Sequence, residues 1–92
     1  MFKYMEDYYL ETQQSIPDKM VKVKEEFREV KESYEDDDCD NSHLAQELLD
    51  LILVSKNMLR KMQDEGLIDI GTETFKHSVK LNQYLETGKY KK

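Results

Sequence analysis

The chain has 92 residues, 38% of them hydrophobic and 37% charged, with a single cysteine and no tryptophan. Its fourteen basic and twenty acidic residues give a net charge of −6, which argues against binding to a nucleic-acid polymer, because such binding needs a basic surface. One cysteine cannot form an internal disulfide, and the sequence shows neither a signal-peptide layout nor an apolar run of roughly 18 residues, so we expect a cytoplasmic protein that does not enter a membrane.

The length and the spacing of apolar residues predict one all-α domain over residues 1–92, with a core at about 15–88 and a basic tail at 89–92. The first of four predicted helices covers residues 2–14. Its tyrosines either pack with their hydroxyls in water or form a stacking wall for a base.

A capping box predicts the start of the second helix, because Ser15 can cap it and Asp18 stands at the reciprocal position. Its apolar seam repeats at steps of three and four through Met20, Val23, Phe27, Val30 and Tyr34. Glu26 flanks this seam and Glu29 points further round. Taken alone, these acids are typical of a solvated face, with Lys22 as the i,i+4 partner of Glu26.

An acidic loop at residues 35–40 leads to the third helix, which Asn41 or Ser42 is expected to cap and Gly66 to end. This helix is apolar almost all round, so we expect it to be buried and to need a second subunit to cover it. Glu47 and Asp50 share one face within its most apolar stretch. A buried carboxylate is costly unless it is paired, protonated or bound to a metal.

Thr72 is predicted to cap the fourth helix, which Gly88 ends. The residues of this helix that are expected to face a core are Phe75, Val79, Leu81 and Leu85. Four helices with short connections predict a four-helix bundle, which would dimerise through its long apolar helices.

The second and third helices should be antiparallel neighbours, because a short loop connects them. Glu26 and Glu29 would then face Glu47 and Asp50. Carboxylates about 5 Å apart repel each other by roughly 3 kcal/mol per pair at an effective dielectric constant of about 20. Such a cluster needs protons or cations, and its oxygen atoms suit Mg²⁺ or Mn²⁺, which also bind phosphates.

The pattern Glu25-Glu26-x-x-Glu29 followed by Glu47-x-x-Asp50 resembles the signature of the MazG-like nucleoside triphosphate pyrophosphohydrolases, part of the all-α NTP pyrophosphatase superfamily. The resemblance covers roughly residues 15–85. It implies Mg²⁺-dependent hydrolysis of a nucleoside triphosphate to the monophosphate and pyrophosphate. It also implies a MazG-like bundle that forms a homodimer or a dimer of dimers.

The same resemblance implies four carboxylate ligands for Mg²⁺ (or Mn²⁺), namely Glu26, Glu29, Glu47 and Asp50. It implies that Glu25 or Glu26 positions the attacking water, while the metal polarises the phosphoryl oxygens. For substrate binding, Lys80 falls near the position of a phosphate-binding lysine of the family, and Lys22 is a second candidate. The family's following arginine is missing, since Gln83 and Tyr84 stand there.

Two alternatives stay open. One is a non-catalytic helical interaction protein, either an adaptor or a degenerate family member, in which the acids form ion pairs with lysines and arginines. The other is a Ca²⁺ loop like that of an EF-hand, although Asn41 stands where such a loop has glycine. The oxygen ligands of that loop would be Asp36, Asp38, Asp40, Ser42 and Glu47.

Overall fold

The computed structural model of the protein describes residues 2–9 and 15–88, and over these ranges the chain is helical with no strand, as the sequence predicts. A 3₁₀ helix at Lys3–Tyr8 comes first. Three α-helices follow, α1 at Ile16–Glu35, α2 at Asn41–Asp64 and α3 at Ile70–Glu86. The predicted first helix is therefore shorter and tighter than an α-helix over 2–14, and the part of that prediction on residues 10–14 lies outside the described residues.

The chain divides into two compact units, Met1–Lys61 and Met62–Lys92. The first unit contains the 3₁₀ helix, α1 and most of α2, and the second contains the end of α2 and α3. The single domain over 1–92, the bundle arrangement and the dimer stay predictions. Among residues 2–9 and 15–88, no helix combines the length and the hydropathy needed to cross a membrane.

The predicted capping box at the start of α1 is confirmed. The Asp18 backbone N–H donates to Ser15 Oγ at 3.3 Å, and the Ser15 backbone N–H donates to Asp18 Oδ2 at 3.2 Å. Pro17 occupies the first turn, where its missing N–H removes no intrahelical hydrogen bond. Two otherwise unpaired backbone donors are thus satisfied within four residues of sequence.

The predicted caps of the next two helices are wrong by one to three residues, because an aspartate stands just before each helix. Asp40 accepts the His43 N–H at 2.7 Å, so Asp40 rather than Asn41 or Ser42 caps α2. Asp69 accepts both the backbone N–H and the hydroxyl of Thr72, at 2.9 and 2.8 Å. Aspartate is among the strongest N-cap residues, and its charge also favours the helix N-terminus.

Glycine ends α2 as predicted. Gly66 has φ of 75°, a left-handed backbone conformation that residues with a Cβ rarely adopt. Its N–H donates to the Gln63 carbonyl at 2.9 Å, and the Leu67 N–H donates to the Met62 carbonyl at 3.0 Å. This pair of bonds is a Schellman motif, which satisfies two of the last free carbonyls of the helix.

The predicted apolar faces of the three α-helices are only partly covered. No residue of α2 is buried, so the expectation that this helix is buried is wrong for the single chain. On α1, Val23 and Val30 are half-buried, but Phe27 remains 60% exposed. On α3, Phe75, Val79 and Leu85 are 71%, 42% and 65% exposed, so the expectation that they face a core is wrong for the single chain. A small helical unit has too little chain to cover every apolar stripe that it presents.

We predict that Asp69→Ala lowers the free energy of unfolding by about 1 kcal/mol, because it removes the cap of α3. Asp69→Asn should lose less, since asparagine also accepts the Thr72 N–H. The cap lowers the pKa of Asp69, so its contribution should be lost on acidification through that lowered pKa. Thermal and denaturant unfolding followed by far-UV circular dichroism measures both effects. Equal losses for the alanine and asparagine variants would contradict the capping role.

Candidate metal centre

Helices α1 and α2 run in opposite directions within the first unit, as the short connection predicts. Glu26 of α1 meets Glu47 of α2. Lys19, about two turns earlier on α1, lines the same small cavity as Val54, about two turns later on α2. The antiparallel pairing brings acidic positions that are far apart in sequence into one place.

Three carboxylates gather at this crossing. Glu26, Glu29 and Glu47 each contribute an oxygen atom, and these atoms all lie within 4.8 Å of one another. Glu26 and Glu47 are half-buried, whereas Glu29 is exposed. Among the residues that the structure describes, the buried Oε2 atoms of Glu26 and Glu47 have no hydrogen-bond partner. Buried oxygens of this kind lose hydration without recovering it, which makes their negative charge costly.

The electrostatics of the cluster reflect that cost. Burial, a hydrogen bond with the Glu29 carboxyl, and the charges of Glu29, Asp50 and Glu47 raise the pKa of Glu26 to about 7. Burial and the charges of Glu29 and Asp50 also raise the pKa of Glu47, and His43 partly offsets this rise. When no cation is bound, protonation of the Glu26 and Glu47 carboxyls therefore relieves part of the repulsion between the acids.

Asp50 lies beside this group rather than within it. It is exposed, so the expectation of a second buried carboxylate on α2 is wrong. Its charge nevertheless raises the pKa values of both Glu26 and Glu47, which places it within electrostatic range of the cluster. Asp50 also lines a cavity together with Tyr4 and Tyr8. It therefore connects the three glutamates to an adjoining pocket.

The remaining predicted site residues lie in two places. Lys22 pairs with Glu25 on the exposed surface of α1, with 3.4 Å between Nζ and Oε2. Lys22 also borders the small cavity that Lys19 lines. Lys80 belongs to the second unit, where its ammonium lies 5.5 Å from the centre of the Tyr84 ring.

His43 is a member of the site that the sequence reasoning left out. Its Nε2 lies 3.4 Å from Glu47 Oε1, one helical turn along α2. The i,i+4 spacing of a histidine and a glutamate was the available signal. A histidine there provides a local partner for one oxygen of Glu47, while the other oxygen stays unpartnered.

The acidic loop does not have the arrangement of a Ca²⁺ loop. Asp36 accepts the Asp38 N–H at 2.9 Å, and Asp40 caps α2. Glu47 belongs to the carboxylate group at the α1–α2 crossing. Of the five side chains that an EF-hand-like site would need, Asp36 and Asp40 therefore accept local backbone hydrogen bonds, and Glu47 lies in the glutamate cluster.

The three glutamates fit a small divalent cation by their chemistry. Mg²⁺ and Mn²⁺ prefer carboxylate oxygens, and Mg²⁺ is usually held by one or two carboxylates together with waters and substrate phosphates. The unpartnered oxygens of Glu26 and Glu47 offer such ligands at a point of concentrated negative charge.

No protein-family model, curated protein or solved structure matches the chain. The likeness of its acidic pattern to the MazG-like signature therefore stays a prediction, and the function rests on the geometry of the site.

We predict that the free energy of unfolding falls as the pH rises from about 4.5 to about 7 in metal-free buffer. The pKa of Glu26 lies near 7 in the folded chain and near 4.5 when unperturbed, so the folded state binds more protons throughout this window. Glu26→Gln, which mimics the protonated acid, should make the slope shallower. Glu25→Gln is the matched control, because Glu25 is exposed and paired with Lys22. Urea unfolding at a series of pH values measures the slope, and an unchanged slope in Glu26→Gln contradicts the account.

Proposed function

We propose that the chain is a Mg²⁺-dependent nucleoside triphosphate pyrophosphohydrolase, similar to the MazG-like enzymes, which releases a monophosphate and pyrophosphate. The observation that carries this proposal is the group of three carboxylates at the α1–α2 crossing, two of which have a buried and unpartnered oxygen. Such a group is unfavourable without a cation, and its three members belong to the five-acid sequence pattern that resembles the family signature.

In this proposal, each acid of the site either binds the metal or orients the attacking water. Glu26, Glu29 and Glu47 would hold the metal, and Asp50 would complete the set from the edge of the cluster. The bound Mg²⁺ would supply Lewis-acid polarisation of the phosphoryl oxygens. Of the two acids expected to orient the attacking water, Glu26 is better placed, because its Oε2 is unpartnered beside the cluster whereas Glu25 pairs with Lys22.

A dimeric four-helix assembly belongs to the same proposal. Phe27 and Tyr34 on α1 are 60% and 77% exposed, and Phe75 on α3 is 71% exposed. Exposed aromatic side chains at core-type spacing are a common mark of a surface that a partner covers. A second copy of the chain would bury them, as the family resemblance implies.

The alternative is a non-catalytic helical interaction protein, and the same exposed aromatic residues favour it. That alternative expects the acids to be neutralised by lysines and arginines. Within residues 2–9 and 15–88, the close basic partner found for the three glutamates is His43, on Glu47. The unpartnered oxygens of Glu26 and Glu47 therefore support the metal-dependent proposal over ion pairing.

We predict that the wild-type chain with Mg²⁺ releases pyrophosphate from at least one member of a panel of common and modified nucleoside triphosphates. Glu47→Gln and Asp50→Ala should abolish release while leaving the helical circular dichroism spectrum unchanged, because each removes a carboxylate at the metal site. Glu32→Gln, an exposed acid on α1 outside the cluster, is the matched control and should keep full activity. Pyrophosphate and monophosphate are measured together, so that release of orthophosphate is distinguished.

Full activity in Glu47→Gln would contradict the assignment of Glu47 as a ligand of the catalytic metal. Absence of release by the wild type from every nucleotide, together with an unchanged melting temperature in millimolar Mg²⁺, would instead favour the interaction protein.

A further inference from the structure

A second feature of the first unit adjoins the carboxylates. A cavity of about 210 Å³ is lined in part by Asp50 and Gln46 of α2. Asp50 acts electrostatically on Glu26 and Glu47, and Gln46 directly precedes Glu47 in the chain. The cavity and the candidate metal centre are therefore neighbours that share one residue at their border.

The other side of the cavity is aromatic. Tyr4 and Tyr8, both on the N-terminal 3₁₀ helix, line it, and they are 55% and 62% exposed. Met5 between them is 4% exposed, so it fixes this short helix against the rest of the unit. Two tyrosines that are held in place yet open to solvent on one side can stack against a flat ring.

Cationic residues reinforce the position of the 3₁₀ helix. Lys56 Nζ donates to the Phe2 carbonyl at 3.1 Å. The Arg60 guanidinium lies 4.1 Å from the centre of the Tyr9 ring, and the buried Lys19 ammonium lies 5.4 Å from it. Cation–π contacts at such distances are attractive, and a buried cation strengthens them. Both ends of the segment that carries the tyrosines are thus tied to α1 and α2.

The rest of the lining combines apolar and polar groups. Leu49 and Leu53 add aliphatic surface, and the amide of Gln46 offers both a donor and acceptors. Aromatic walls with a few polar groups are typical of sites for flat heteroaromatic ligands, and glutamine amides commonly hydrogen-bond to the edges of bases.

We propose that this cavity binds the base of the nucleotide substrate, stacked against Tyr4 and Tyr8 and hydrogen-bonded by Gln46. This inference rests on the proposed function, because the adjoining carboxylates would hold the phosphates through the metal. A cavity of about 210 Å³ is smaller than the roughly 300 Å³ or more of sites that enclose whole ligands, so the sugar and phosphates extend past Asp50 towards the glutamates.

The test is a titration of the protein with nucleoside monophosphates (AMP, GMP, CMP and UMP) and with ribose 5-phosphate as the probe that lacks a base. Methyl resonances of Leu49 and Leu53 report on the cavity. We expect at least one monophosphate to shift these resonances and ribose 5-phosphate to leave them unchanged. Tyr8→Leu should weaken monophosphate binding roughly five- to 150-fold, and Tyr8→Phe, which keeps the ring, should bind nearly as wild type.

Val21→Ala is the control, because Val21 is an exposed apolar residue on α1 that lies outside the cavity lining and outside the aromatic surface proposed for dimerisation. Its binding should equal that of the wild type. The proposal is overturned if no monophosphate shifts the two leucines, if ribose 5-phosphate shifts them equally, or if Tyr8→Leu binds as wild type. If Tyr8→Leu releases pyrophosphate as the wild type does, the base-binding proposal is wrong and the proposed enzymatic activity stands. If monophosphates bind at these leucines but the wild type releases no pyrophosphate, the base-binding proposal stands and the proposed enzymatic activity is wrong.

Discussion

The mutual repulsion of Glu26, Glu29 and Glu47 is the constraint on which the account of this chain depends. Their oxygens approach within 4.8 Å, and two of these side chains have an oxygen that is buried and unpartnered. Repulsion at that distance weakens the packing of α1 against α2 unless a proton or a cation intervenes. The raised pKa of Glu26 indicates that protonation can relieve this repulsion, and the carboxylate oxygens are hard ligands that suit a cation such as Mg²⁺. A group of acids that can bind either a proton or a cation is typical of a functional site rather than of a structural one.

The N-terminal segment places an aromatic cavity beside this cluster. The 3₁₀ helix is fixed by Met5, by Lys56 and by the cations around Tyr9, and it presents two tyrosines beside Asp50. An aromatic cavity next to a cluster of acids is a suitable arrangement for a molecule with a flat ring at one end and phosphates at the other. Neither feature alone would indicate a nucleotide, since exposed acids and surface tyrosines are each common.

Local features were the most accessible to prediction from the sequence. The capping box at Ser15 and Asp18 and the glycine end of α2 depend on residues within one turn, so their spacing was sufficient. The caps by Asp40 and Asp69 were missed because a polar residue suited to capping also stands one to three positions later.

The meeting of Glu26, Glu29 and Glu47 followed from i,i+3 spacing on two antiparallel helices. The burial of Asp50 was wrongly predicted, because apolar neighbours along a helix do not ensure that anything covers them. The cavity could not be predicted, since it depends on contacts such as that between Phe2 and Lys56, 54 residues apart in sequence.

The most direct measurement is paramagnetic broadening of backbone amide resonances by substoichiometric Mn²⁺. We predict that broadening is strongest around Glu26, Glu29 and Glu47, that it is weaker at the acidic loop around Asp38, and that excess Mg²⁺ reverses it. Broadening centred on the acidic loop, or spread evenly over the exposed acids, would contradict a metal centre at the crossing of α1 and α2.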